Sequence, residues 1–191
     1  QVQSGFINLT QLGYGFVQEF FCLDLDTGLE HHLFKDKIDA FTVRRDQSDL
    51  NVLFAQNKTW MSNSTLYMWQ NNKKSLFGFF PVSILELASS STDIYGIGQN
   101  QSGEWILFSI DYDRLKLTTL FKSPWTLSHL NLDQSNGDHK LIFTINKGTS
   151  MQTYEFDLFS FQTKRLSSGD YADSGVVVGD PLFFTVIGKE G

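Results

Sequence analysis

One element recurs four times along the chain and constrains its fold more than any other feature. An aromatic residue followed three places on by a polar turn-former stands at Phe21/Asp24, Tyr67/Gln70, Phe108/Asp111 and Tyr154/Asp157, so the polar members lie 46, 41 and 46 residues apart. The first copy, Phe20 to Leu33, reads as a strand alternating at period two, an Asp26-Thr27-Gly28 turn and a second strand. Side chains on a pleated strand point alternately to its two faces, and glycine accepts the positive φ that such a turn needs.

Upstream of each copy lies a strand centred on an aromatic residue, at Phe6, Phe54, Tyr95, Phe143 and Phe184, with steps of 48, 41, 48 and 41. Before the last four comes a further short run: Phe41-Thr42-Val43, Ser83 to Leu87, Leu127 to Leu130 and Gly175 to Val178. Each unit therefore holds four strands, lettered a to d in chain order. The first unit lacks a, and the fifth stops after b. Pro81 and Pro124 punctuate the crossings from d to the next a, where no ladder donor is needed. No stretch sustains an i, i+3, i+4, i+7 apolar stripe for three turns, so the chain reads as nearly all β.

A self-similar unit of about 40–48 residues made of four short strands is the signature of a β-propeller blade. The expected architecture is an all-β propeller with about four blades, near residues 1–36, 37–81, 82–123 and 124–170, and a further blade beginning over 171–191. Joining the last a strand to the first b, c and d would close a four-bladed ring but leave one b strand over. The echo of Leu141-Ile142-Phe143-Thr144-Ile145 in Leu182-Phe183-Phe184-Thr185-Val186 favours a larger ring in a longer polypeptide. The Phe21-x-x-Asp24-x-Asp26-Thr27-Gly28 hairpin resembles the outer-strand repeat of several β-propeller groups, quinoprotein-type and TolB-like repeats among them. The Gly-His and Trp-Asp marks of WD40 repeats, the paired glycines of kelch and the sialidase Asp box are absent, and no tryptophan recurs at a fixed repeat position. The resemblance implies a fold and carries no functional residues with it.

Fifteen basic residues against 21 acidic give a net charge of -6. That argues against nucleic acid, because phosphate binding needs clustered cations and the densest basic spots are Arg44-Arg45 and Lys73-Lys74. No apolar run approaches the ~18 residues of a membrane span, and the first residues lack the pattern of a signal peptide, which implies that any such peptide is already gone. Cys22 is the single cysteine and makes no internal disulfide. Four N-glycosylation sequons, at Asn8, Asn57, Asn63 and Asn100, exceed the roughly two expected by chance and point to a secreted, extracellular or lumenal glycoprotein. Three of them, Asn57, Asn63 and Asn100, fall in b-to-c hairpins. Glycans there would shield one face, leaving the a-to-b and c-to-d loops for a partner.

Chemistry-bearing residues are few. Asp24, Asp26, Asp111, Asp113 and Asp157 all stand at c-to-d corners, where a carboxylate accepts backbone N–H bonds and holds a turn. Asp133 to Asp138 has the oxygen density of a calcium loop but no bidentate Glu, and its Asn136-Gly137 is a hairpin signal. His31 and His32 point to opposite faces of a strand, and His129 and His139 flank a turn, so no metal site is expected. No catalytic residue and no cofactor is expected either. Trp60, in the hairpin Lys58-Thr59-Trp60-Met61, has no obvious core to join and is the binding candidate. The expected function is a non-catalytic extracellular interaction module presenting loops to a protein or glycan partner, within a larger assembly. The alternatives are a secreted glycan-acting hydrolase, for which the a strands offer Glu86 with Asp46, Asp49 and Asp133 near their ends, and a structural repeat of an extracellular filament or coat.

Overall fold

The computed structural model describes residues 4–10, 17–24, 27–46, 49–59, 63–133, 140–148, 150–167, 172–176 and 183–187. The described strands form antiparallel meanders. The first sheet is β1 (Ser4–Thr10), β2 (Val17–Asp24) and β3 (Glu30–Lys37). The second is β4 (Ala40–Asp46), β5 (Asp49–Thr59), β6 (Asn63–Gln70) and β7 (Lys73–Phe80). The third is β8 (Val82–Ser89), β9 (Asp93–Asn100), β10 (Trp105–Asp111) and β11 (Leu117–Ser123). The fourth is β12 (Thr126–Asp133), β13 (Lys140–Asn146), β14 (Met151–Asp157) and β15 (Thr163–Arg165). The fifth pairs β16 (Ala172–Val176) with β17 (Phe183–Ile187). The closure weighed from the strand count, with the last a strand joining the first sheet, is not the pairing seen, since β16 pairs with β17.

The core lies between successive sheets rather than inside any one of them. Phe20, Ile38, Val52, Phe54 and Trp69 fill the space between the first and second sheets. Leu53, Leu66 and Phe80 meet Ile84, Ile94, Ile106 and Phe108 between the second and third. Tyr95, Ile97 and Leu107 meet Leu141, Phe143 and Phe156 between the third and fourth. A middle sheet is therefore covered on both faces, which is why β9 and β13 are buried almost end to end and read as near-continuous apolar runs. Between the first two sheets the packing is aromatic: Phe34 stacks on Phe20 at 4.9 Å, and on Phe54 and Trp69 at 5.3 Å.

Opposite strand d, strand c passes a bulge just before its repeated aromatic. Phe20 pairs with Phe34 but Phe21 with His32; Leu66 with Gly78 but Tyr67 with Leu76; Leu107 with Phe121 but Phe108 with Thr119. In the fourth sheet the Thr153 carbonyl accepts from both Leu166 N (2.9 Å) and Ser167 N (3.4 Å). The extra residue is apolar each time. Leu33, Phe77 and Leu120 pack against the intersheet cores, and Leu166 is half-buried. A bulge re-aims one side chain and strengthens the local twist, so its repetition gives the outermost strands a common curvature.

Two readings of the sequence need correction. Tyr95 is not the counterpart of Phe54 and Phe143, because Phe54 and Phe143 sit opposite Tyr67 and Tyr154 whereas Gly96, not Tyr95, sits opposite Phe108. A slip of one residue turns a side chain to the other face of its sheet, and Tyr95 accordingly packs toward the fourth sheet. Strand β5 also runs to Thr59, so Asn57, expected in a b-to-c hairpin, is instead within the strand. Its polar end stays in the ladder because Gln56 Nε2 donates to Asp36 Oδ1 (2.7 Å) in the first sheet, and Asn57 bonds into the third.

Candidate functional site

In an antiparallel meander the a-to-b and c-to-d turns emerge at one end of every sheet, and the b-to-c turns and d-to-a crossings at the other. The c-to-d turns carry the repeat that first identified the fold. Asp111 Oδ1 accepts from Asp113 N (3.0 Å) and Arg114 N (2.8 Å), and Asp157 Oδ1 accepts from Phe159 N (2.9 Å) and Ser160 N (2.7 Å). Backbone bonds from Leu115 N to the Asp111 carbonyl and from Phe161 N to the Asp157 carbonyl, both 2.9 Å, close the same loop in each sheet. The N–H groups of Ser160 and Phe159 hold the Asp157 carboxyl below its ordinary value of 3.8, because they bind the ionised form. These aspartates act as turn-holders. The second sheet turns differently. Gln70 pairs with Lys73 across a two-residue turn of Asn71 (φ 51) and Asn72 (φ 59), the mirror-image turn that suits a twisted hairpin.

The fifth residue of each Asp-held turn takes the left-handed conformation: Leu115 has φ 53 and Phe161 φ 56, where the first copy has Gly28 at φ 71. The side chains at and beside this position stay largely exposed, Phe161 with its ring edge-on to Phe156 at 6.1 Å. Leu115 is 42% exposed, Phe161 65%, Phe159 73%, and Leu29, next to Gly28, 59%. Scattered single apolar side chains on a surface are ordinary, but a recurrence at one turn of three sheets is not scatter. Rigid loops with large apolar tips on one end of the molecule are what a binding face requires. Nothing in the sequence pattern marked these tips, because an exposed Leu or Phe looks like a core residue until burial is known.

Glu86 lies on β8 and faces β12. Its carboxylate accepts from His129 N (2.9 Å) and Leu130 N (2.6 Å), at the place where β12 bulges between Ser128 and Asn131 and His129 takes φ 57. Glu86, the acid singled out for hydrolysis in the middle of an a strand, thus ties two neighbouring sheets together.

Trp60 and the loop 134–139 lie outside the described residues, as does Asp26; the side chains of Asp24 and Asn8 are likewise outside them. The stems that flank Trp60 are described. Lys58, Asn63, Thr65, Phe79 and Pro81 line an open cavity of about 280 Å³ at the b-to-c end of the second sheet, and Lys58 Nζ sits 5.1 Å from the Phe79 ring centroid. Asn57 points elsewhere. Its Nδ2 donates to the Ile84 carbonyl (3.0 Å), and its Oδ1 accepts from Ile84 N (3.1 Å) and from Ser64 Oγ. At Asn100, Oδ1 accepts from Ser102 N and Glu104 N (both 3.0 Å) and Nδ2 donates to Glu104 (2.8 Å). Hydrogen bonds from Asn100 and Lys122 lower the Glu104 pKa.

The comparisons agree with this geometry. The chain is similar to TolB from Acinetobacter baumannii (14% identity, TM-score 0.60, over 88% of this chain and 45% of TolB). It is also similar to the acylaminoacyl peptidase of Pyrococcus horikoshii (12%, TM-score 0.65, 96% and 32%). A third likeness is to the Aleuria aurantia lectin in complex with Fucα1-6GlcNAc (9%, TM-score 0.53, 97% and 71%). The fold is a β-propeller. The chain spans less than half the length of the first two proteins. No protein-family model matches it, and no curated protein does. At these identities the likeness establishes the propeller and its four-stranded blades, and function has to be argued from the site.

Proposed function

We propose that the chain is a non-catalytic propeller module, extracellular or lumenal, that binds a protein partner through its c-to-d face. The observation that carries this reading is the row of exposed apolar tips, Leu29, Leu115, Phe159 and Phe161, on corresponding turns of three blades. Protein interfaces centre on apolar and aromatic anchors held in fixed positions. A glycan partner, which the lectin likeness allows, would call for polar groups beside the rings. The tip residues Phe159 and Phe161 have Leu158, Ser160 and Gln162 as neighbours, so a protein partner is favoured by the apolar tips of the other two blades, Leu29 and Leu115.

The test is partner capture by the wild-type protein and by a Phe159→Ser/Phe161→Ser variant. Phe161 is exposed but meets the buried Phe156 ring edge-on, so circular dichroism and thermal unfolding must show the fold kept before capture is compared, and a Phe159→Ser single variant serves where it is not. Captured proteins that disappear with the variant but persist with a Trp125→Ser control at the opposite end support the reading. Equal capture by both variants, or wild-type protein that associates with itself alone, overturns it.

A further inference from the structure

We propose that Asn63 carries an N-linked glycan whose first N-acetylglucosamine lies on the ring of Phe79, and that Asn57 carries none. The inference rests on the extracellular or lumenal reading and specifies which sequon the fold admits.

Asn63 opens β6 and is exposed. It heads the sequon Asn63-Ser64-Thr65. Thr65 pairs directly with Phe79 on β7. Side chains two residues apart on a strand share a face, so Asn63 is the diagonal neighbour of Phe79, at a spacing of about 7–8 Å. Both residues line the same cavity of about 280 Å³. That volume is at the small end of ligand cavities, about 300–1,000 Å³, and suits one sugar ring better than a larger ligand. Phe79 is 64% exposed on an outermost strand; the exposed Lys58 side chain lies over its ring, and a sugar seated there takes the place of the lysine. An aromatic ring so placed, beside an open Asn, offers the flat apolar surface on which the C–H face of a pyranose stacks.

The two sequons differ in what folding does with the amide. Asn57 Nδ2 is a donor to the Ile84 carbonyl in an intersheet contact that also uses Oδ1. A glycan there would take the place of that bond and push the second and third sheets apart, so a chain modified at Asn57 cannot complete the packing seen. Among the described residues Asn63 has no such engagement. Transfer joins Asn63 Nδ2 to C1 of the first sugar of a polyprenyl-diphosphate oligosaccharide. The C1–O bond to the diphosphate breaks, the polyprenyl diphosphate leaves, and one amide proton passes to the transferase's base.

The experiment uses protein isolated from its natural source, with sites mapped by peptide mass spectrometry after amidase release. Glycan at Asn63 and none at Asn57 is the expected result. Glycan at other sequons but not at Asn63 overturns the proposal and leaves the extracellular reading standing, whereas protein with no glycan overturns both. Stacking on Phe79 has its own readout. An endoglycosidase that leaves the first sugar should not move Tm, and the amidase, which removes it, should lower Tm by about 2 °C or more. In a Phe79→Ala variant glycosylated at Asn63 neither enzyme should move Tm. An equal amidase effect in wild type and variant would overturn the seat on Phe79.

Discussion

Phe108 lies flat across Gly96. The two residues pair directly on β10 and β9, and a Cβ at Gly96 would stand 2.3 Å from the ring of Phe108. The second and fourth blades put a Phe at the position of Gly96, opposite a Tyr. The third blade has one large ring where its neighbours have two, and that ring is fully buried. Gly96→Ala therefore forces a buried ring off its rotamer, and we expect a loss of about 1–3 kcal/mol in urea or guanidinium unfolding. An unchanged midpoint would mean the ring has room that the packing does not show.

The Glu86 clamp makes a second prediction. In Glu86→Ala the backbone N–H groups of His129 and Leu130 lose their acceptor, and the expected cost is about 1–3 kcal/mol. Faster amide exchange at these two positions should accompany it. Glu86→Gln retains one acceptor oxygen and should fall between the variant and wild type. If the carboxylate instead served catalysis, stability would be indifferent to the change.

How much of this could be read from the chain follows from the same residues. The period and the four-stranded unit were legible because Phe21, Tyr67, Phe108 and Tyr154 occupy one structural position on strand c, beside the bulge in strand d. Asp111 and Asp157 were legible as turn-holders because an Asp before a tight turn has a local mechanism that needs no tertiary context. The aromatic at Tyr95 misled, since periodicity cannot tell a residue from its neighbour on the opposite face. Gln56 and Asn57 carry no local sign of the strand they extend. Their partners, Asp36 and Ile84, are 20 and 27 residues distant and belong to other sheets. The exposed tips Leu115, Phe159 and Phe161 were hidden for the converse reason, that apolar type alone implies burial.

Asp157 gives a pH dependence. Its folded pKa lies below the ordinary 3.8, so its contribution is complete at pH well above 3.8 and is lost as pH falls through the folded value, where the unfolded chain takes up the proton first. Wild type should exceed Asp157→Asn in stability at pH 7, and the difference should close in acid, below pH 3.8. Parallel unfolding curves at pH 7 and pH 3 check this. A difference that stays constant between the two pH values would assign the effect to shape rather than charge.

The left-handed turn residues allow the backbone contribution to be separated from the side chain. At Gly28, φ is +71 and an added Cβ meets nothing within 4 Å, so Gly28→Ala carries the conformational cost alone, about 1 kcal/mol. At Leu115, φ is 53 and a branched side chain already bears that cost. Replacing it with Gly and with Ala removes the same exposed tip in both variants but relieves the backbone in one. Leu115→Gly should be the more stable of the two by about 1 kcal/mol, and both should bind the partner less well than wild type if the tip is an anchor. A Leu115→Gly variant no more stable than Leu115→Ala would mean the turn relaxes out of the left-handed region once the leucine is gone. Loss of binding in both variants would tie the backbone cost borne at Leu115 to what its side chain does at the surface, which is the property the binding reading needs.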